Sequence, residues 1–469
     1  MTKTAGDISH WFAEMHGDAT PVPTREPLRG NRKADVVIVG AGYTGLWTAY
    51  ELLKAEPSLD VVILDAEFVG YGASGRNGGA VIAQLNGSRE YWNSRGRDGA
   101  VRMERAIQDA VVQVGNAVAE EGIDCGYSRN GFLTLARNAL EVRWLLGSID
   151  EDREHGFTEE DTVWLDRNET RARIRAEEAL GAKFNVHCAS IDPARLVTGL
   201  AAAVERRGGK IFEQTRVVRL SPHTAHTETG AVTGTYVIRA TEAYTASLKG
   251  ERRTILPFHT SMIATEPIPA DLWEEIGWRD REAVLAEHRF LHLQHTRDGR
   301  ITIGGDDNRM PYRFGSMGSR DAAIRGDLLR QYRRALVRLF PPLRDVKIEH
   351  TWSGVFGVSN DWAPSVGLSR ATGLGWGGGY VGEGVAASNM AGRTLCDLVL
   401  DRSTELTALP WVRGRHAQPW PPEPVRFLAS APIWAARVIG EAKEARTDRP
   451  SRLAAAAVRL AGFDGRLGT

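Results

Sequence analysis

The sequence predicts an α/β fold: a parallel sheet assembled from discontinuous stretches of chain, joined to an α+β region whose sheet is mostly antiparallel. Three observations predict it. The run Val36-Val37-Ile38-Val39 leads through Gly40-Ala41-Gly42-Tyr43-Thr44-Gly45 into an amphipathic stretch carrying Leu46, Ala49, Leu52 and Leu53, and a second apolar run, residues 61–64, ends in Asp65. A second glycine-rich loop, residues 373–385, also leads into a helical period. Between them, residues 255–265, 289–295 and 301–305 read as strands, the last two joined by the turn Arg297-Asp298-Gly299-Arg300.

The first motif has a reason at each position. Gly40 permits the tight turn, Gly42 lets the backbone approach a pyrophosphate, and Gly45 lets the helix lie close on the strand. Amides at the helix start and the helix dipole favour an anion there. Asp65 follows Gly45 by twenty residues, where a carboxylate accepts from a ribose hydroxyl and repels a 2′-phosphate. A lone GxGxxG is a weak signal. Flanked by two strands and an acid, it marks a Rossmann-type unit for an ADP-containing cofactor, without separating FAD from NAD.

Composition narrows the rest. The 469 residues suffice for two or three domains, and 59 basic residues balance 59 acidic ones, so no global charge argues for nucleic acid. The three cysteines, Cys125, Cys188 and Cys396, form no CxxC pair and suggest a reduced compartment, read as the cytoplasm. No signal peptide or membrane span is expected.

After Asp65-Ala66 comes Gly72-Ala73-Ser74-Gly75-Arg76-Asn77-Gly78-Gly79, a loop with no apolar period. Ser74, Arg76 and Asn77 offer donors suited to a phosphate or a flavin edge. With the fingerprint, this run resembles the D-amino-acid oxidase and glycine oxidase superfamily of FAD enzymes, most nearly its γ-glutamylputrescine oxidoreductase branch. The resemblance implies FAD, with Gly40, Gly42, Tyr43, Thr44, Gly45, Asp65 and Ala66 at its ADP end and Ser74, Arg76, Asn77, Gly78 and Gly79 beside it. It implies that Val217, in Thr215-Arg216-Val217, lines the adenine site through its backbone. It places Ala240 and Thr241, in Ala-Thr-Glu242-Ala-Tyr-Thr, at a sheet end beside FAD. The family commonly has Asn where Glu242 stands. It also shows an aromatic–x–Arg pattern where this chain has His292 and Gln294.

The remaining elements follow in order. Residues 1–34 are polar, with Trp11 isolated, and read as an arm on the body. Residues 100–121 read as an amphipathic helix and 131–135 as a strand. Asp192-Pro193 is a helix start. Residues 326–340 form a basic amphipathic helix, read as a solvated face. His288, His292 and His295 invite a metal reading, but strand alternation splits them and no Cys or carboxylate completes a set. The loop Gly373 to Val385 resembles the superfamily's closing flavin motif, with Gly354 and Gly379 nearby and the amides of Gly382, Glu383, Gly384 and Val385 facing the flavin pyrimidine. A second nicotinamide fold there would need a downstream strand and acid, which are missing. Residues 428–469 are helical in period and read as a packed terminal helix, with a membrane-surface or partner helix as the alternative.

The resulting expectation is an FAD domain from residues 30–90, 188–250 and 351–405, a substrate domain from 91–187 and 251–350, an arm over 1–29 and a partly helical extension over 406–469. The resemblance implies oxidation of an amine or amino acid by hydride transfer to flavin N5. The product imine hydrolyses, and oxygen or another acceptor reoxidises the flavin. Trp352, Phe356 and Tyr380 are the expected walls over the flavin, with His259 and Met262 on the substrate strand. Relatives that tether FAD use a Cys in the segment matching 352–357 or a His in the early glycine loop. Neither is present, so noncovalent FAD is expected. Two alternatives stay open: an NAD(P)H-dependent flavin monooxygenase, and an FAD-carrying subunit of a larger complex.

Overall fold

The computed structural model describes residues 3–85, 95–287, 291–305 and 324–461. Helix α1 (His10–His16) precedes an opening unit of β1 (Arg32–Val39), α2 (Tyr43–Ala55) and β2 (Val61–Leu64). Then come α3 (Arg97–Glu121), β3 (Phe132–Ala136), β4 (Thr162–Leu165), β5 (Gly181–Asn185), α4 (Pro193–Arg206), β6 (Lys210–Phe212) and β7 (Ala231–Arg239). Strands β8 (Leu256–Thr265), β9 (Ala283–Glu287), β10 (Leu291–His295) and β11 (Ile301–Gly305) lead to α5 (Gly326–Leu339). The chain closes with β12 (Ile348–Val358), β13 (Ser365–Ser369), β14 (Leu374–Gly378), α6 (Gly384–Val399), α7 (Val425–Thr447) and α8 (Arg452–Leu460).

The strands form two large sheets. The first has the order β13-β14-β7-β1-β2-β6, parallel from β14 to β6, with a hairpin of residues 217–227 on β7. Its central runs, Val36 to Val39 and Val61 to Leu64, are buried throughout, as strands covered on both faces must be. The second has the order β12-β8-β11-β10-β9-β3-β5-β4 and is antiparallel except where β9 meets β3. The fold is thus α/β with one parallel and one antiparallel sheet, each drawn from distant stretches of chain. His288 and the first residues of the expected strand 289–295 lie outside the described residues.

Three expectations change. Residues 351–358 are expected in the FAD domain, but β12 is a strand of the second sheet: it pairs along β8 from Leu256↔Val358 to Ile263↔Thr351. An eleven-residue strand satisfies its amides against one neighbour, so it is not divided between sheets. The terminal period is two helices, not one. Asp448, at φ 51°, caps α7 in the left-handed region, and Pro450 follows it. The arm does more than cover: the Ser9 hydroxyl donates to Gly75 O (2.7 Å) and the Trp11 indole to Asn77 O (2.8 Å), so α1 braces the glycine loop.

The local signals explain the helices that hold the first sheet. Asp192 accepts from the Arg195 amide (3.1 Å), with Pro193 in the first turn of α4. α2 buries Leu46, Trp47, Ala49, Tyr50, Leu52 and Leu53. It packs against α6 so closely that a Cβ on Gly392 would lie 2.5 Å from the Trp47 Cβ and 2.7 Å from its backbone carbon. Gly392→Val should therefore push α6 off α2 at a cost of about 1–3 kcal/mol or more. Thermal unfolding checks this; an unchanged melting temperature would show that the helix pair tolerates the bulk.

Candidate FAD site

An elongated cavity of about 1230 Å³, counting its open mouth, lies between the two sheets. One end is walled by Leu64, Asp65, Ala66, Arg216, Val217 and Leu248, the middle by Gly40, Gly42, Thr44, Ser74, Ala240 and Thr241, and the other end by Val355, Phe356, Tyr380, Gly382, Gly384 and Val385.

The glycine turn works by backbone contact. A Cβ on Gly45 would sit 2.0 Å from Gly40 O, and one on Gly40 (φ 110°) would sit 2.5 Å from Ala240 O. The start of α2 is therefore pressed onto the ends of β1 and β7. A Cβ on Gly42 would meet the Ser74 Oγ at 2.9 Å. That hydroxyl accepts from the Tyr43 amide (2.9 Å), which leaves its own proton to donate. Tyr43 and Thr44 line the cavity at this point, and the Tyr43 hydroxyl donates to Pro193 O (2.9 Å).

Asp65 stands at the end of β2. One carboxylate oxygen accepts from the Ala41 amide and the other from the Glu67 amide, both at 2.8 Å. Burial still pushes the carboxyl up to about 6. Each oxygen keeps a further lone pair for a ribose hydroxyl.

Several residues expected at the cofactor do not reach the cavity. Arg76 is buried and donates to Tyr71 O (2.8 Å) and Ser353 O (2.9 Å), because a buried guanidinium needs acceptors and finds carbonyls. Asn77 touches the cavity, but its amide donates to Ala73 O and Ser74 O and its oxygen accepts from Gly79 N. Both side chains brace the loop instead of offering donors to a ligand. Gly78 faces the His292 ring, Gly79 faces Ile191 O, and Gly354 lies against Arg76. The Glu383 amide donates to Tyr380 O (3.1 Å), so it is not open to a flavin, and its side chain is buried off the cavity.

Of the expected walls, Phe356 and Tyr380 line the cavity, and the Tyr380 hydroxyl shares a hydrogen bond with Thr44 (2.9 Å). Burial raises the Tyr380 pKa, so the phenol stays protonated. Trp352 does not line it. It lies four residues along β12 from Phe356, on the same strand face but ~13 Å away, and donates to Arg76 O (2.8 Å) beneath Trp11. Met262, opposite Trp352 on β8, joins the same apolar cluster. His259, opposite Val355, also stands off the cavity.

One feature of the wall escaped the sequence reading. The Glu242 carboxylate accepts from the amides of Gly379 (2.9 Å) and Tyr380 (3.2 Å), and the Gly357 amide also donates to it. It thereby ties the end of β7 to the closing glycine loop and to β12. Desolvation raises its pKa. Its φ of 43° is the only local oddity, and nothing in the residue type signals it.

Fold and cavity together define an enzyme that cradles an extended, adenine-bearing cofactor between a parallel sheet and an antiparallel roof. Residues 35–398 match the family described as FAD dependent oxidoreductase, DAO. The chain belongs to that family, and FAD is its cofactor. It is 30% identical over 431 residues to the gamma-glutamylputrescine oxidoreductase of Escherichia coli K12, covering 87% of this chain and 94% of that one. It is 22% identical over 401 residues to the sarcosine oxidase subunit beta of Rhodobacter capsulatus, covering 80% and 87%. In fold it is similar to the glycine oxidase of Geobacillus kaustophilus, with a TM-score of 0.69 at 22% identity, over 82% of this chain and 100% of that one.

The ring of His292 is packed against Gly78 and Gly304. Burial holds its pKa down to about 4, against 6.5 normally. Between those values the unfolded chain binds this proton and the folded chain does not, so the stability associated with His292 falls as pH drops from 6.5 to 4. His292→Gln should therefore gain melting temperature relative to the parent as pH falls through that window. A difference that stays constant across it would show that the imidazole titrates normally.

Proposed function

We propose that this enzyme oxidises the C–N bond of a small amine or amino acid. The substrate carbon gives up a hydride to FAD, the nitrogen loses a proton, and water hydrolyses the imine to a carbonyl compound and an amine or ammonia. Oxygen or another acceptor then takes the electrons. Bound FAD supplies the two-electron acceptor; the chain supplies placement.

The observation that carries this reading is the character of the end walled by Phe356 and Tyr380. Val355, Phe356 and Val385 make that end apolar, and Tyr380 is held protonated. The carboxylate in that wall, Glu242, is engaged by backbone amides. Such a wall orients a neutral amine and needs no acid–base pair of its own. The names of the gamma-glutamylputrescine oxidoreductase and the sarcosine oxidase subunit support amine or amino-acid substrates. On this reading Gly40, Gly42, Thr44, Asp65, Ser74 and Val217 hold the ADP half. The start of α6, at Gly384 and Val385, lies beside the ring and favours negative charge there.

The similarity to a sarcosine oxidase subunit favours a second reading, an FAD-carrying subunit inactive alone. Anaerobic mixing with a panel of amines and amino acids separates the two. Loss of the flavin absorbance band with one substrate class is expected. A flavin that no amine reduces would favour the subunit, and one bleached only by NAD(P)H would overturn both.

The FAD is proposed to be noncovalent. Among the described residues no cysteine or histidine lines the cavity, and Cys125, Cys188 and Cys396 are buried elsewhere. Acid precipitation should leave the yellow colour in the supernatant; a yellow pellet would reveal a tether.

A further inference from the structure

The family match ends at residue 398, and α7 and α8 lie beyond it as an antiparallel hairpin. Where its two helices meet they pack closely. A Cβ on Gly440 would lie 2.5 Å from Ala454 N, Ala454 and Ala457 are buried, and the Ser451 amide donates to Glu444 (2.8 Å). The Trp362 indole donates to Ala461 O (3.1 Å) and fixes the hairpin to the body.

The outer face is different. Among the described residues six large apolar side chains are exposed, and five of them, Val425, Leu428, Ile439, Leu453 and Leu460, are on this hairpin, 44–73% exposed. The sixth, Leu146, lies on the helix Ala139–Glu154, one turn from Arg143, which donates to Asp448 O at the hairpin turn (3.2 Å). Leu146 thus lies near the turn of the hairpin that carries the other five. Val425, Leu428, Pro432, Ala435 and Ile439 follow the helical period along α7, all exposed, and exposed Lys443 and Arg446 continue the stripe. In α8, Leu453 and Leu460 repeat at seven residues, flanked by exposed Arg452 and Arg459.

Charge selects the occupant. Lys443, Arg446, Arg449, Arg452 and Arg459 are exposed, and among the described residues none has an ion-pair partner. The nearby acids are otherwise engaged: Glu441 pairs with Arg437 (3.2 Å) and Glu444 holds Ser451, leaving Asp448 exposed. A second copy of the chain packed on this face would set like charges against each other. An anionic lipid surface satisfies both halves of the pattern: apolar side chains enter the acyl boundary, and the long cationic ones reach headgroup phosphates.

We propose that the α7–α8 hairpin docks the enzyme on an anionic membrane surface. It lies in the interfacial plane and does not cross: no helix among the described residues is long and apolar enough to span. The test is sedimentation of the full-length, FAD-loaded protein with vesicles of phosphatidylglycerol and phosphatidylcholine, against phosphatidylcholine alone. Binding to the anionic vesicles at low salt is expected, with a marked loss at high salt or on neutral lipid. Leu428→Asp combined with Ile439→Asp should abolish it. Lys443→Glu combined with Arg446→Glu should weaken it roughly tenfold or more. An unchanged flavin spectrum and amine reduction in these variants shows that the fold and the chemistry persist, so this test fails or succeeds independently of the proposed reaction. No sedimentation with vesicles, or equal binding to neutral ones, would overturn the proposal. So would a dimer in the absence of lipid that the Leu428 and Ile439 substitutions convert to a monomer without any vesicle binding.

Discussion

Contact between bare backbones at Gly40, Gly45 and Ala240 is the constraint on which the cavity depends. With hydrogen in place of Cβ, the first turn of α2 rests directly on the carbonyl of Gly40, and Gly40 on the carbonyl of Ala240. No side chain could be accommodated by a rotamer change, because the opposing atoms are backbone. The contact sets the height of α2 above β1 and β7, and hence the direction of its first amides. Ser74 then secures the Tyr43 amide, and the loop carrying Ser74 is held in turn by Arg76, Asn77 and the α1 arm. Each layer supports the one inside it, so the glycine-rich turn and loop on this side of the cavity keep a defined shape.

At the opposite end the same task falls to a charge. Glu242 gathers amides from three distant segments, at Gly357, Gly379 and Tyr380. Removing a carboxylate from water is costly, and amide donors offset that cost only when several converge. The start of α6, at Gly384 and Val385, opens on the same end of the cavity.

The parts legible in the sequence are those where a backbone demand restricts residue type. The opening glycines, Asp65 after β2, and Asp192-Pro193 at the start of α4 are of this kind. Direction was less legible. Arg76 and Asn77 are donors by type, but whether a donor meets a ligand or a carbonyl depends on chain that is distant in sequence. Parity along β12 correctly groups Trp352 with Phe356 on one face, yet four residues of strand separate cavity from core. Membership of β12 in the second sheet could not be read locally either, since its partner β8 lies some ninety residues earlier. Glu242 was visible only as a departure from the family pattern, and its purpose is set by three amides from elsewhere.

These placements bear on how the reaction answers to pH. At the Phe356–Tyr380 end burial holds the Tyr380 phenol protonated and raises the Glu242 carboxyl, while His292, packed off the cavity against Gly78 and Gly304, is held neutral above about 4. Asp65, pushed up to about 6, titrates at the far end of the cavity, where the proposed placement of FAD puts its ribose. Under the proposed reaction two ionisations bear on the chemical step. One is the substrate's own amine, which must be neutral to give up a hydride. The other is Glu242, whose carboxyl burial raises against the pull of its amide donors.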